Sequence, residues 1–319
     1  MVEDSLLGIA QREIHAAQRI LIVTHIRPDG DAIGSLLGLG LSLQAVGKEV
    51  QMVMEDNIPK NLRHLPGSQQ VKSQAQGRFD LTIVVDCSDL QRVGKVLDGF
   101  SIPDWNIDHH PTNDNFARHN WVESDAVATA AILAKNLPHL ALPITEDVAN
   151  CLLSGILTDT LGFRTSNVTP QTLRLAADLV EKGCDLADLY SRALNRRSFE
   201  MARYWGAGLS TLQRDGRMAW ATLSLADRQA VGYPGRDDAE LINLLSTIDD
   251  YDIVLIFVEQ TNGKVKISWR ARPGLDVSRI ALQFGGGGHQ AAAGAEVVGN
   301  LAEVQQQILQ ATRILFDIN

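Results

Sequence analysis

The chain has 319 residues, 45% of them hydrophobic and 21% charged, which suits two globular domains better than a single core. Its formal net charge of −9 excludes an overall basic face for long duplex nucleic acid, so a nucleic-acid substrate must be short or held in a local basic pocket. Charge-free stretches such as 126–134 are too short for a bilayer, and residues 1–13, with Glu3 and Asp4 and no basic or long apolar run, argue against a signal peptide and for a cytoplasmic protein without membrane contact.

Residues 1–190 read as alternating strands and helices. The run 20–24 is short, β-branched and unbroken, as a strand buried on both faces should be. A helix begins near Asp31, carries Ile33, Leu36, Leu37, Leu41 and Ala45 on one side, and stops at Gly47. Strands are expected at 49–54, 81–85 and 104–107, and helices near 126–135, 146–157, 170–182 and 186–194. This alternation implies an α/β domain, a mostly parallel sheet with helices on both faces. A long polar helix is expected over 195–214, rich in Arg196, Arg197, Arg203 and Arg214. Strands follow at 217–223, 253–259 and 264–270, with helices at 241–247, 277–284 and 301–315. The expected organisation is a first domain at 1–190, a linker helix within 191–215, and a smaller α/β domain at 216–319.

The residues that carry chemistry fall where strands end. His25, Asp29 and Asp31 follow the first strand, Asp86 ends the third, and Asp108, His109 and His110 end the fourth. Asp159 follows an apolar helix. In an open parallel sheet the C-terminal strand ends share one crevice, where ligands bind. Taken singly, each Asp is more often a turn former or cap, and Asp31 could cap its own helix. Recurrence with histidine on three strand ends favours a metal site instead. Carboxylate and imidazole donors without thiolate suit Mn²⁺ or Mg²⁺, and the surplus of carboxylates suggests two ions sharing a ligand. Pro28 fixes the turn, while Gly30 is expected to free Asp29 and Asp31 to swing. Cys87, Cys151 and Cys184 lie far apart with no C-x-x-C pair and read as bystanders in a reducing compartment.

A second motif, GGGGHQAAAG at 285–294, is not G-x-G-x-x-G and follows a helix, which disfavours a dinucleotide cofactor. Four glycines before an Ala-rich helix start could bring backbone N–H groups to a phosphate. His289 and the nearby Arg270 and Arg272 could add donors, with a solvated edge-strand charge as the plain alternative for either arginine.

The motifs H-x-x-P-D-G-D-A-x-G-S at 25–35, V-V-D at 84–86, D-H-H at 108–110 and G-x-x-T-D-T at 155–160 resemble the successive motifs of the DHH phosphoesterase superfamily. Chain length and the glycine–histidine motif resemble its nanoRNase/pAp phosphatase group in particular, whereas family II pyrophosphatases carry a different second domain. The resemblance implies a DHH catalytic domain followed by a nucleotide-binding domain. It implies hydrolysis of short RNA oligonucleotides, linear dinucleotides such as pApA and pGpG, and pAp, with cyclic dinucleotides as further substrates. It makes His25, Asp29 and Asp86 ligands of one divalent cation, and Asp31, Asp86, His109 and Asp159 ligands of the other. Mn²⁺ is the expected ion, with Mg²⁺ or Co²⁺ as alternatives. Asp108 is expected to orient a histidine, His110 to contact substrate phosphate, and Arg270, Gly287, Gly288 and His289 to bind phosphate or nucleotide. The expected chemistry is in-line attack by a hydroxide that the two cations share. A cyclic-dinucleotide phosphodiesterase, a pyrophosphatase and a non-catalytic nucleotide sensor are the competing readings, and homodimer formation is left open.

Overall fold

The structure, a computed structural model, describes residues 5–316, so Glu3 and Asp4 lie outside the described residues. The chain divides into two compact units, Met1–Arg196 and Arg197–Asn319. Among the described residues no helix is long and apolar enough to cross a membrane.

In the first unit, helix α1 (Leu6–Ala16) leads to strand β1 (Arg19–Val23), helix α2 (Gly30–Ala45) and strand β2 (Glu49–Val53). Strands β3 (Leu81–Val85), β4 (Trp105–Asp108) and β5 (His119–Val122) follow, then helices α3 (Thr129–Asn136), α4 (Glu146–Asp159), α5 (Pro170–Val180) and α6 (Leu186–Tyr190). The strands form a five-stranded sheet ordered β2-β1-β3-β4-β5, with every pairing parallel. The C-terminal ends of β1, β3 and β4 therefore lie side by side. Ile20, Ile22, Ile83 and Val85 join the large core under the helices. Leu21, Val23 and Val84 face the other way, into a smaller cluster with Val93, Phe79 and Phe100. Burial on both faces is why β1 reads as an unbroken apolar run. Helix α1 and strand β5 were not legible in the sequence. The latter is a sheet edge with half-buried His119 and Asn120, so it lacks a strand-like apolar pattern.

Helices α2 and α4 meet through glycine. A methyl group at Gly34 would lie 2.5 Å from the Cys151 carbonyl oxygen, and one at Gly30 would fall inside the Thr158 side chain. Gly38 likewise faces Leu152. The three positions recur every four residues, so they form one stripe along α2. Gly30 is the first residue of the helix and has no positive φ. Its role is thus close helix approach, and the expected freedom to swing is not what the position supplies.

The second unit begins with α7 (Phe199–Ser210) and continues through β6 (Gln213–Asp215), β7 (Met218–Leu223), α8 (Leu225–Val231), α9 (Leu241–Leu245) and β8 (Ile253–Glu259). It ends with β9 (Lys264–Ala271), α10 (Ser278–Gln283), β10 (Gly287–His289), β11 (Ala292–Val298) and α11 (Leu301–Arg313). Its mixed sheet is ordered β10-β11-β9-β8-β7-β6. The stretch 191–215 is not one helix. A π-helical turn, Ser191–Asn195, precedes α7, which starts after the Ser198 cap. Tyr204 of α7 is fully buried and joins the core of this unit with Ala219, Leu223 and Leu241.

A further correction concerns residues 291–294, expected to open a helix. They enter β11, which runs antiparallel to β10 with Gly287 opposite Gly294 and His289 opposite Ala292. The hairpin demands glycine: Gly288 has φ 140°, and a methyl group there would lie 2.5 Å from the Ala292 carbonyl oxygen. Val297 and Val298 continue the strand, where β-branched residues fit well.

Substitution Gly34→Ala should lower stability by about 1–3 kcal/mol through overpacking against backbone. By contrast, Gly206 sits in an exposed helical position with open space around it, and Gly206→Ala should raise stability by about 0.5–1 kcal/mol. Denaturant or thermal unfolding of the two variants measures both signs.

Candidate metal centre

The first strand stops at Val23, and His25 lies buried just beyond it. Its Nδ1 is 2.8 Å from the Ile26 carbonyl oxygen, which accepts the ring proton and turns Nε2 inward. Nε2 is buried without a hydrogen-bond partner, 3.6 Å from Asp86 Oδ2. A buried imidazole nitrogen with no donor or acceptor to meet is what a metal ligand looks like before its ion is added.

Helix α2 starts at the next turn. Asp29, rather than Asp31, caps it: Asp29 Oδ1 accepts from the backbone N–H groups of Asp31 and Ala32 at 3.1 and 3.0 Å. Asp31 points instead at α3. Its carboxylate accepts from Thr129 N at 2.6 Å and Ala130 N at 2.9 Å, capping a helix whose own Ala128 has no side chain to do so. Backbone donors at a helix N-terminus attract a carboxylate through both hydrogen bonding and the helix dipole. Thus Asp31 is fixed across the sheet by a helix far away in sequence.

Asp86 ends β3 in a left-handed conformation, φ 55°, which is costly for a residue with a side chain and is found mostly where the surroundings impose it. Its N–H still donates to the Ile107 carbonyl oxygen, so the pairing with β4 holds while the chain turns. Thr129 Oγ1 donates to Asp86 Oδ1 at 2.9 Å. His109, from the end of β4, donates Nδ1–H towards the Ala126 carbonyl oxygen at 3.3 Å. Its Nε2 then faces three carboxylates: Asp159 at 3.6 Å, Asp86 at 3.7 Å and Asp31 at 3.9 Å. Asp159 arrives as the last residue of α4, held close to α2 by the glycine stripe.

Ligand atoms of His25, Asp29 and Asp86 lie within 4.8 Å of one another, as do those of Asp31, His109 and Asp159, and those of Asp86, His109 and His110. All six residues expected as ligands are thus brought together, and Asp86 belongs to two of the three groups. Asp108, fully buried, accepts from His110 Nδ1 at 2.7 Å and from Asn113 Nδ2 at 2.6 Å.

Electrostatics mark the same centre. Burial, reinforced by the charges of Asp86 and Asp159, pushes the Asp31 carboxyl well above the usual carboxylate range. Asp159 is pushed up to about 6, first by burial and then by Asp86 and Asp29, with His109 opposing. Burial would raise Asp86 as well, but the imidazoles of His25, His109 and His110 hold it low. Carboxylates this close cannot all ionise comfortably without a compensating cation. The donor set, the orphaned His25 Nε2 and the crowded charges all fit divalent cations bound by oxygen and nitrogen.

The substrate contacts expected from the sequence lie in the second unit. Arg270 and His289 are both in register with Ala292 across neighbouring strands, so they share one end of the sheet with Gly287 and Gly288. Arg270 donates to the Trp269 carbonyl oxygen at 3.0 Å and Asn243 Oδ1 at 3.3 Å. Arg272 is engaged elsewhere, donating to the carbonyl oxygens of Tyr251 at 2.9 Å and Asp249 at 2.8 Å. Sequence reasoning missed Thr129 and Asn113, which position Asp86 and Asp108. Thr129 sits in a plain apolar helix start, and no local signal distinguishes it.

A parallel sheet whose strand ends gather carboxylates and imidazoles in this way has the donors for divalent cations, as metal-dependent phosphoesterases require. The chain belongs to the DHH family: the family's N-terminal domain matches residues 19–156 and the DHHA1 domain matches residues 229–314. It is 36% identical over 298 residues to the bifunctional oligoribonuclease and PAP phosphatase NrnA of Thermus thermophilus, a match spanning 92% of this chain and 89% of that one. The protein of the same name from Mycoplasma genitalium is 29% identical over 296 residues, 91% of this chain and 92% of the other. Among solved structures, an exopolyphosphatase-related protein from Bacteroides fragilis superposes with a TM-score of 0.88 at 26% identity, covering 96% of this chain and 95% of that one.

Thr129→Val removes the hydroxyl donor to Asp86 while keeping the shape. It should weaken Mn²⁺ binding about ten- to a hundredfold, the usual cost of losing a partner that orients a ligand. Calorimetric titration of the variant with Mn²⁺ measures this.

Proposed function

We propose that this chain is a metal-dependent phosphoesterase that hydrolyses short RNA oligonucleotides to nucleoside monophosphates and removes the 3′-phosphate of pAp. The observation that carries the reading is Asp86, whose carboxylate groups with His25 and Asp29 and also lies 3.7 Å from His109 Nε2, the atom that faces Asp31 and Asp159. The names of the relatives, which span almost the whole chain, support the substrate class.

In this reading His25, Asp29 and Asp86 hold one divalent cation and Asp31, Asp86, His109 and Asp159 hold the other, with Mn²⁺ as the preferred ion. When bound, the cations supply Lewis acidity and ease the deprotonation of water at neutral pH. The remaining work belongs to the chain. Carbonyl acceptors on the Nδ1 atoms of His25 and His109 keep each Nε2 available. Backbone N–H groups of α3 hold Asp31, and Thr129 holds Asp86, so neither carboxylate must be reoriented when ligand arrives. Asp108 accepts a hydrogen bond from His110 Nδ1–H and raises the His110 pKa, which favours a protonated imidazole with Nε2–H free for a phosphate oxygen. A positively charged donor there offsets charge that builds on the equatorial oxygens.

Arg270, Gly287, Gly288 and His289 supply contacts to the nucleotide or its second phosphate. For Arg272, carbonyl contacts at Tyr251 and Asp249 favour a role in bracing that loop.

The test is product identification on pAp and a 5′-labelled RNA dinucleotide with Mn²⁺. AMP plus orthophosphate from the first and mononucleotides from the second are expected, and turnover of pyrophosphate alone would sink the reading. Asp86→Ala should lower both activities by about a thousandfold or more. Arg270→Ala should lower kcat/KM for the dinucleotide by roughly tenfold or more, the scale of a lost charge-assisted contact. A small chromogenic phosphodiester, which lacks a second nucleotide, should lose much less.

A further inference from the structure

Arg92 is a cation at the metal centre that none of these roles uses. It lies in the short 3₁₀ turn Leu90–Val93, six positions after Asp86. Two main-chain contacts fix it in place. Asp89 Oδ1 accepts from Arg92 N at 3.0 Å, and the Arg92 carbonyl oxygen accepts from Ile26 N at 2.7 Å. The second contact ties this turn to the loop that carries His25.

The side chain is half-buried, and its Nη2 lies 3.2 Å from His25 Nδ1. That nitrogen already has the Ile26 carbonyl oxygen at 2.8 Å. In the tautomer that leaves Nε2 free for a metal, Nδ1 carries the proton and donates to Ile26. The guanidinium then faces a donor where it needs an acceptor. Among the described residues no carboxylate oxygen lies within ion-pairing distance of it, although its charge reaches the ring of His110. A guanidinium has five N–H donors in a planar fork suited to phosphate.

Charge counting says which phosphate benefits most. The expected ligands include four carboxylates, Asp29, Asp31, Asp86 and Asp159, whose charge two divalent cations would cancel. Arg92 adds a fixed positive charge beyond that balance. A phosphodiester linkage carries one negative charge, whereas a terminal phosphomonoester carries about −1.5 to −2 at pH 7. Coulomb attraction to one cation scales with that charge.

We infer that Arg92 binds the phosphate undergoing hydrolysis and favours a terminal phosphomonoester, as in pAp, over the internal diester of a dinucleotide. This rests on the two-cation phosphoesterase reading. Both main-chain contacts of Arg92 survive a change of side chain, so Arg92→Gln removes the charge and leaves the turn intact.

The variant should lose about a hundredfold in kcat/KM on pAp but only about tenfold on an RNA dinucleotide, since the cost in free energy scales with phosphate charge. Arg92→Lys, which keeps the charge, should recover most of the difference between the two substrates. Calorimetry on the holoenzyme gives a readout apart from turnover. Affinity for inorganic phosphate with Mn²⁺ present should fall about tenfold in Arg92→Gln, with Mn²⁺ affinity unchanged within about twofold. Equal losses on both substrates with weakened Mn²⁺ binding would mean that Arg92 acts through His25, which overturns the inference. Unchanged phosphate affinity overturns it as well. Should the wild-type protein hydrolyse neither substrate, the proposed function fails, and the phosphate titration alone decides the role of Arg92.

Discussion

Asp31, Asp86 and Asp159 occupy one largely buried space, and their mutual repulsion is the constraint around which the first unit is built. Left alone, such a cluster lowers its charge by taking up protons, as the raised pKa values of Asp31 and Asp159 indicate. Three imidazoles keep Asp86 ionised. The arrangement is strained without a cation and relieved by one, so metal binding should be a source of folding stability as well as of chemistry.

Holding like charges together requires rigid supports, and each carboxylate has its own. Asp86 is turned out of β3 in a left-handed conformation that the pairing with β4 maintains. Asp31 is pinned by the N-terminus of α3, whose dipole partly offsets its charge. Asp159 depends on the near contact between α2 and α4, possible only because glycine replaces side chains along the seam. The geometry of the candidate centre and the packing are therefore linked: loosening the helix pair would move Asp159.

Much of the centre was legible in the sequence because its ligands follow strand ends, and parallel strands bring those ends to one edge. His25, Asp86 and His109 could be placed together from that rule alone. Thr129 and Asn113 could not. Their signals are a hydroxyl and an amide in ordinary contexts, and their partners lie 43 and 5 residues away in directions that only the folded chain defines. The helix start expected after the glycines of the second unit was misjudged for a related reason. A run of glycine and alanine has no side-chain pattern to separate a helix start from a hairpin, and pairing of β11 with β9 settled it.

The candidate ligand residues, their order and the alternation that builds a parallel sheet were legible in the sequence itself, since residue type and local hydrophobic period are local properties. Tertiary structure alone decided which aspartate caps which helix, that Gly30 serves packing, and that Arg92 lies against His25. Each of these depends on a hydrogen bond or a close approach between segments distant in the chain, and such contacts leave no mark on local composition.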